Sequence, residues 1–239
     1  MSTGLIVAIA VVGGVLLLGG LALLIGKLNK AIGVGTDSGR ENLAEELSRR
    51  GWRYVETDDN VVGVYNELYR KYTHPFMLDP LVGPPRAASA KDVITGVHRG
   101  RPFFAAVLDT YHHGEYMSQL CVWVRTPVPR PALTVQRMAA LASRINESIG
   151  TGDLKTGFPE FDENFDVRSK DPSFAAAVMN PDLVHLLLAQ PDQFRGFMLL
   201  GDQLDVFDSL HDHRDPIQLV AALDLRCDIL DRIPAFVWS

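Results

Sequence analysis

The sequence is poor in cysteine, with only Cys121 and Cys227 among 239 residues. Two cysteines more than a hundred residues apart do not make the dense framework of a small disulfide-stabilised domain. Each also lies in an apolar pattern: Cys121 alternates with Trp123, and Cys227 belongs to a helical stripe. We therefore predict that both are small core residues.

Established catalytic motifs are also missing. The chain contains no Gly-x-Ser-x-Gly, no Walker-type glycine loop ending in Lys-Ser or Lys-Thr, no His-Glu-x-x-His and no Cys-x-x-Cys. Basic residues do not outnumber acidic ones either, since the formal net charge is −6. Nucleic-acid affinity normally comes from a basic face, so no nucleic-acid partner is expected.

Charged side chains are absent from one long run, Leu5 to Gly26. A helix of about 20 apolar residues crosses a bilayer core about 30 Å thick. We predict a transmembrane anchor over residues 1–26 that contacts the lipid bilayer through residues 5–26. The alternatives are a buried helix and a cleaved signal peptide, but Met1–Gly4 lacks the Lys or Arg of a signal peptide.

The flanking charges predict the orientation of this anchor. No basic residue precedes the run, whereas Lys27 and Lys30 follow it, and basic residues favour the cytoplasmic side. The N-terminus is therefore expected outside, with a linker at 27–39 and a cytoplasmic α+β domain at 40–239. Two subdomains, at about 40–149 and 150–239, are the alternative division.

Small residues four apart in the run, Ala10 with Gly14 and Ala22 with Gly26, would let two helix backbones approach closely. This spacing is consistent with self-association or with docking on a partner helix. Glycine is common in membrane helices generally, and we favour that plainer interpretation.

The first half of the predicted domain reads as a helix followed by antiparallel strands. Gly51 is a favoured helix end, and the polar residues 57–60 and the turn 99–101 separate strand-like runs. The proline-rich segment 66–90 is predicted to be irregular. The expected elements are a helix at 40–50, a hairpin of 52–56 with 61–65, a meander of 92–98, 102–111 and 117–125 that stops at the prolines after 126, and a helix at 132–148, with a short strand at 133–135 as the alternative.

In the second half, Asp or Asn precedes proline three times at a helix start. An Asp or Asn cap binds free backbone amides, and proline at the first helical position presets φ. These signals predict helices near 172–179, 181–190 and 216–232, a strand at 164–169, and a hairpin of 196–200 with 203–207 around Gly201-Asp202. The fold class is α+β, with antiparallel hairpins and packed helices.

Histidine and acidic side chains offer the only metal-site candidates: His112, His113, His211, Asp212 and His213. A contiguous His-Asp-His cannot close a tetrahedral site alone, and His112 and His113 would point to opposite faces of a strand. We predict solvated or hydrogen-bonded side chains here, and no metal or other cofactor. Acidic groups at 160–166 and 202–215 are likewise given structural or solubilising roles, with Asp202 in a turn and Asp215 at a helix cap.

Arg99 and Arg101 flank a glycine at a predicted hairpin tip, where they could bind a phosphate or a carboxylate. An exposed turn with charged residues is the favoured interpretation.

A recognisable pattern covers about residues 155–210. It consists of the phenylalanine-rich run 158–167 with Ser169 and Asp171, followed by Pro181-Asp182-Leu183, Leu187-Leu188 and the turn at Gly201-Asp202. This stretch resembles an uncharacterised family of bacterial, actinobacterial-type, single-pass membrane proteins. The resemblance implies a membrane-tethered domain and supplies no catalytic residues.

These observations favour a membrane-anchored, non-catalytic domain that contacts a protein partner or a second copy of itself. The first alternative is a membrane-bound enzyme or a ligand- or metal-binding domain that uses the His- and Asp-rich segments. The second is an accessory subunit of a larger membrane complex.

Overall fold

The computed structural model describes residues 43–72, 86–112, 115–138, 154–207 and 210–239. The predicted anchor, the linker at 27–39 and most of the segment predicted as a helix at 132–148 lie outside these ranges, so those predictions stay predictions. Within the described ranges, no helix has the length and apolar character needed to cross a membrane. The described residues from 46 onward belong to one compact unit.

The predicted α+β class is confirmed: one antiparallel sheet combines with several helices. In chain order the elements are α1 (residues 43–50), β1 (Arg53–Thr57), α2 (Asp59–Tyr72), β2 (Arg86–His98), β3 (Arg101–His112), β4 (Glu115–Arg137), α3 (Pro159–Asn164), β5 (Phe165–Ser169), α4 (Pro172–Val178), α5 (Pro181–Leu188), β6 (Gly196–Phe207), α6 (Pro216–Arg232) and a final 3-10 helix (Ala235–Trp238).

The sheet has the order β1-β2-β3-β4-β5, and β6 pairs with β4. The predicted meander is confirmed, because β2, β3 and β4 pair consecutively as antiparallel neighbours. The turn between β2 and β3 uses positive φ at Arg99 (48°) and Gly100 (79°). Its flank is tightly packed, since a Cβ on Gly96 would lie 2.3 Å from Trp52.

Strand β6 reverses direction within its own length. Twelve extended residues would span about 40 Å, yet the Arg195 amide donates to the Phe207 carbonyl at 2.7 Å. The chain therefore turns back at Gly201, where φ is 62°, and this bears out the hairpin predicted around Gly201-Asp202. Residues 203–205 pair with 123–125 of β4, whereas 196–199 pair with 133–136.

Strand β4 surrounds this hairpin with two arms. Its pairing with β6 jumps from Arg125 to Arg130, so the intervening Thr-Pro-Val-Pro segment interrupts the ladder, as predicted from its prolines. The helix predicted from residue 132 is wrong over 132–137, where β4 pairs with both β5 and β6. The alternative strand at 133–135 is confirmed, because these residues complete the sheet.

The hairpin predicted at 52–65 is wrong in its second half. Residues 53–57 form β1, but α2 begins at Asp59, and the Asp58 carboxylate accepts from the Asn60 amide at its start. Val61 and Tyr65 lie four apart and are both buried against the sheet. The apolar residues after 60 thus follow the 3.6-residue repeat of a helix, not the alternation of a strand. Residues 86–90, predicted to be irregular, begin β2.

Helix α2 covers one sheet face through an aromatic stack. Tyr65 lies 4.4 Å from Tyr69 and 5.5 Å from Trp123 between ring centroids, with near-parallel planes. Burial raises the pKa of Tyr65 to about 12. Cys121 joins this cluster, and Cys227 is buried in α6, so the prediction of two core cysteines is confirmed.

The proline-capped helices begin where predicted. Asp171, Asn180 and Asp215 each accept hydrogen bonds from backbone amides in the first turn of α4, α5 and α6. The caps are local interactions, which is why the sequence alone located them. Helix α5 ends at Leu188, two residues before the predicted end.

The guanidinium of Arg226, only 1% exposed, joins α6 to the sheet. It donates to the carbonyls of Val122 in β4 at 2.7 Å and Val206 in β6 at 3.1 Å, and to Ala222 of its own helix at 2.9 Å. Asp205 lies 3.7 Å away. A buried charge is costly unless hydrogen bonds compensate it, and here several do.

We expect Arg226→Met to lower the free energy of unfolding by about 2–5 kcal/mol, because two buried strand carbonyls lose their donor. Urea unfolding followed by circular dichroism measures the change. Arg232→Met is the control on the same helix, because Arg232 donates to the carbonyl of Asp228 at a half-buried site. Equal losses in the two variants would contradict the role given to Arg226.

Candidate functional site

The turn between β2 and β3 is fixed to α6 by an ionic network. Arg99 donates to Asp228 at 2.7 Å and to Asp231 at 2.5 Å, and Arg101 donates to the other oxygen of Asp231 at 2.6 Å. His98 bonds Asp224 at 2.8 Å. The three aspartates recur at spacings of four and three, so they lie on one face of α6.

Arg99 and Arg101, for which an exposed turn was the favoured interpretation and anion binding the alternative, contact carboxylates of their own chain. The hydrogen bond to Asp228 is the main cause that raises the pKa of Arg99. Both guanidiniums are therefore held in fixed positions on a rigid helix face, which a bare exposed turn would not provide.

Beyond this network lies an open cavity of about 650 Å³, which we call the arginine cavity. Three turns build it: the β2–β3 turn, the proline segment of β4 and the reversal of β6. Arg125 in β4 donates from Nε to Asp202 of β6 at 2.8 Å. The lining residues are Arg99, Gly100, Arg101, Pro102, Arg125, Thr126, Pro127, Pro129 and Asp202. The lining holds three guanidiniums and one carboxylate, while Asp224, Asp228 and Asp231 pair with Arg99 and Arg101 from outside it.

A second concavity, the apolar groove, lies beside the N-terminal half of α6. It measures about 340 Å³ and carries no charged lining residue in the described part of the chain. Its walls are Gln190, Pro191, Gln193, Phe194, Leu210, Gln218, Ala221, Ala222 and Leu225. Ile217 is 82% exposed and lies one turn before Ala221 on the same helix face.

The C-terminal end of β4 positions the far wall of this groove. Arg137 donates to the Phe194 carbonyl at 3.1 Å and to the Gln190 carbonyl at 3.3 Å. Its guanidinium also lies 4.8 Å from the ring centre of Phe165. The loop between α5 and β6 is thereby fixed to the sheet, so the groove has one wall on the sheet side and one on α6.

The predicted metal candidates are distributed over separate places. His213 is buried and its Nε2 donates to the Asp92 carbonyl at 2.5 Å, so this nitrogen has no lone pair for a metal. Asp212 accepts from Arg214 at 2.9 Å. His211 is exposed. His112 pairs through its backbone with Glu115, and His113 lies outside the described residues.

Across the described ranges, no three His, Cys, Asp or Glu side chains form a group that could hold a metal ion. His213 instead binds the sheet through its hydrogen bond to the Asp92 carbonyl of β2. Asp92 has a positive φ of 49° at an irregularity in the β2 ladder, and its carbonyl points to the histidine. The prediction of a hydrogen-bonded histidine describes this residue well.

The sequence did not identify Arg125, the groove residue Phe194 or Ile217 beside the groove as parts of surfaces. Ile217 carried a usable signal, because it directly follows a capped Pro216 and falls outside the buried stripe of Leu223, Cys227 and Leu230. Arg125 carried none, since its partner Asp202 is distant in sequence.

No family model and no curated protein sequence matches the chain. Among solved structures, the chain is similar to the crystal structure of the mycobacterial trehalose monomycolate transport factor A, TtfA. The identity is 14%, the TM-score is 0.45, and the alignment covers 82% of this chain and 94% of that one. A likeness at this level establishes neither a shared fold nor a shared function. The resemblance to an uncharacterised membrane-protein family therefore stays a prediction.

The buried His213 predicts a pH dependence of stability. Burial lowers the pKa of His213 below its ordinary value of 6.5. At a pH between the lowered pKa and 6.5, the unfolded chain therefore binds a proton that the folded chain does not. Stability is then lost as the pH falls below about 6.5, by up to about 1.4 kcal/mol per pH unit. In His213→Gln the amide can still donate to Asp92, and this loss should shrink.

Urea unfolding at pH 7.5 and 5.5 measures the difference, with His211→Gln as the exposed control. An equal pH dependence in the wild type and in His213→Gln would overturn the prediction.

Proposed function

We propose that the chain is a membrane-tethered, non-catalytic domain that binds a partner protein through the apolar groove. The observation that carries the proposal is Ile217, 82% exposed on α6 beside a concavity with uncharged walls. Water-exposed aliphatic side chains next to an apolar concavity are typical of protein-binding surfaces.

The chemistry of the groove defines its occupant as an apolar segment with no charge on its contact face. The lining offers only aliphatic and aromatic carbon and the amides of Gln190, Gln193 and Gln218. A charged side chain buried there would find no opposite charge among the lining residues. Ala221 and Ala222 are small enough to let a helix backbone approach α6 closely. Burying Ile217 would contribute about 1.5–3 kcal/mol.

The aspartates in the C-terminal half of α6 are engaged by the β2–β3 turn. The proposed contact therefore uses the α6 residues that line the groove, Gln218, Ala221, Ala222 and Leu225, with Ile217 beside them.

The membrane tether comes from the predicted anchor at residues 5–26, with the domain in the cytoplasm. Sixteen residues separate Gly26 from residue 43, and they reach at most about 55 Å when fully extended. The domain therefore begins within that distance of the membrane, and a partner in or near the membrane is within its reach. Tethering raises the effective concentration of such a partner, so the weak affinity of a small groove is sufficient for binding.

The anchor is tested by deletion of residues 5–26. We expect the intact chain in the membrane pellet after carbonate extraction and the deleted chain in the supernatant. A full-length chain that stays in the supernatant would remove the tether from the proposal.

The groove is tested with a photo-crosslinking amino acid placed at position 217 in the full-length chain in cells. The matched control position is Val97, a β-branched residue that is 57% exposed outside the groove. We expect a crosslinked product from position 217 and none from position 97. An added Ala221→Arg substitution should reduce that product at least about tenfold, because a charge would enter an uncharged contact.

The mass of the product identifies the occupant. A product of one chain plus a different protein supports the proposal, whereas a product of two chains assigns the groove to self-association. Equal crosslinking from positions 217 and 97, or none from either, contradicts a specific contact at the groove.

A further inference from the structure

We propose that the arginine cavity binds the phosphate group of an organic phosphate. This site is distinct from the apolar groove and does not depend on a partner protein there. The cavity brings together Arg99, Arg101 and Arg125 from turns that are up to 26 residues apart in sequence.

The guanidiniums are oriented before any ligand arrives. Asp228 and Asp231 fix Arg99 and Arg101 from the side of α6, and Asp202 fixes Arg125 from β6. Arginine side chains normally lose rotamer freedom when they bind an anion, and this loss is smaller where carboxylates already hold them. The aspartates of α6 are outside the cavity lining, so they orient the guanidiniums without filling the space.

Only part of the hydrogen-bonding capacity of Arg125 is used within the described ranges. Its Nε donates to Asp202, while its two Nη groups make no hydrogen bond within the described ranges. The paired N–H groups of a guanidinium match two oxygens of one phosphate in a bidentate arrangement. At 60% exposure the side chain is accessible from solvent.

The size and walls of the cavity favour an organic phosphate over the bare ion. A volume of about 650 Å³ is in the range of sites for small organic molecules. Pro102, Pro127 and Pro129 supply rigid carbon walls that have no N–H donors. These walls suit the carbon part of a phosphate ester, while the guanidiniums suit its charged end.

Two sources share this chemistry: a soluble phosphate ester and the headgroup of an anionic phospholipid. Trp52 packs 4.9 Å from Phe103 and 6.1 Å from His98 between ring centroids, beside the β2–β3 turn. The chain that leads from the predicted anchor therefore joins the sheet at the end where the cavity lies.

The experiment uses the full-length chain in a non-ionic detergent. The soluble arm is a calorimetric titration with glycerol 3-phosphate, with glycerol as the uncharged comparison. The lipid arm is native mass spectrometry of the chain after incubation with phosphatidic acid and phosphatidylcholine. The variant is Arg125→Gln, and the matched control is Arg168→Gln, because Arg168 also bonds a single carboxylate, that of Asp166, through Nε.

We expect Arg125→Gln to weaken phosphate binding at least about tenfold, since charge-assisted hydrogen bonds are among the stronger ones. Arg168→Gln should bind as the wild type does. Binding of glycerol 3-phosphate that depends on Arg125 supports a soluble ligand. Arg125-dependent retention of phosphatidic acid alone supports a lipid headgroup. If neither probe binds, or if both variants weaken binding equally, the proposal is overturned.

Discussion

The fold depends on one buried charge, the guanidinium of Arg226. It bonds carbonyls from β4 and β6 at the place where the ladder between these strands ends, and it does so from the middle of α6. A cation in a low-dielectric interior is stable only where several acceptors surround it, so these hydrogen bonds hold α6 in its position on the sheet. Both surfaces described above follow from that position.

Helix α6 performs three tasks with different parts of its surface. Its buried side, with Leu219, Leu223 and Leu230, closes the core. Its aspartates in the C-terminal half bind the β2–β3 turn and orient two arginines of the arginine cavity. Its N-terminal half forms one wall of the apolar groove. The same helix therefore contacts both the turn that lines the arginine cavity and the apolar groove.

The elements that the sequence predicted well are those controlled by neighbouring residues. The caps at Asp171, Asn180 and Asp215 bind amides two or three residues away, and the glycine at 201 permits the turn of β6. The errors arose where distant contacts decide. The local pattern of residues 61–65 predicts a strand, but their packing on Trp123 requires a helix. The pattern of 132–137 predicts a helix, but these residues form a strand between β5 and β6.

Composition and local pattern determined an α+β domain, its proline-capped helices, its buried cysteines and an uncharged N-terminal run. These properties depend on residue type and short spacing, which a linear sequence displays directly. Only the tertiary structure decided that β6 lies between the two arms of β4, that Arg99 and Arg101 bind aspartates more than a hundred residues away, and that Arg125 joins them at one cavity. Such contacts depend on which distant segments the folded core brings together, and no periodicity in the chain records that choice.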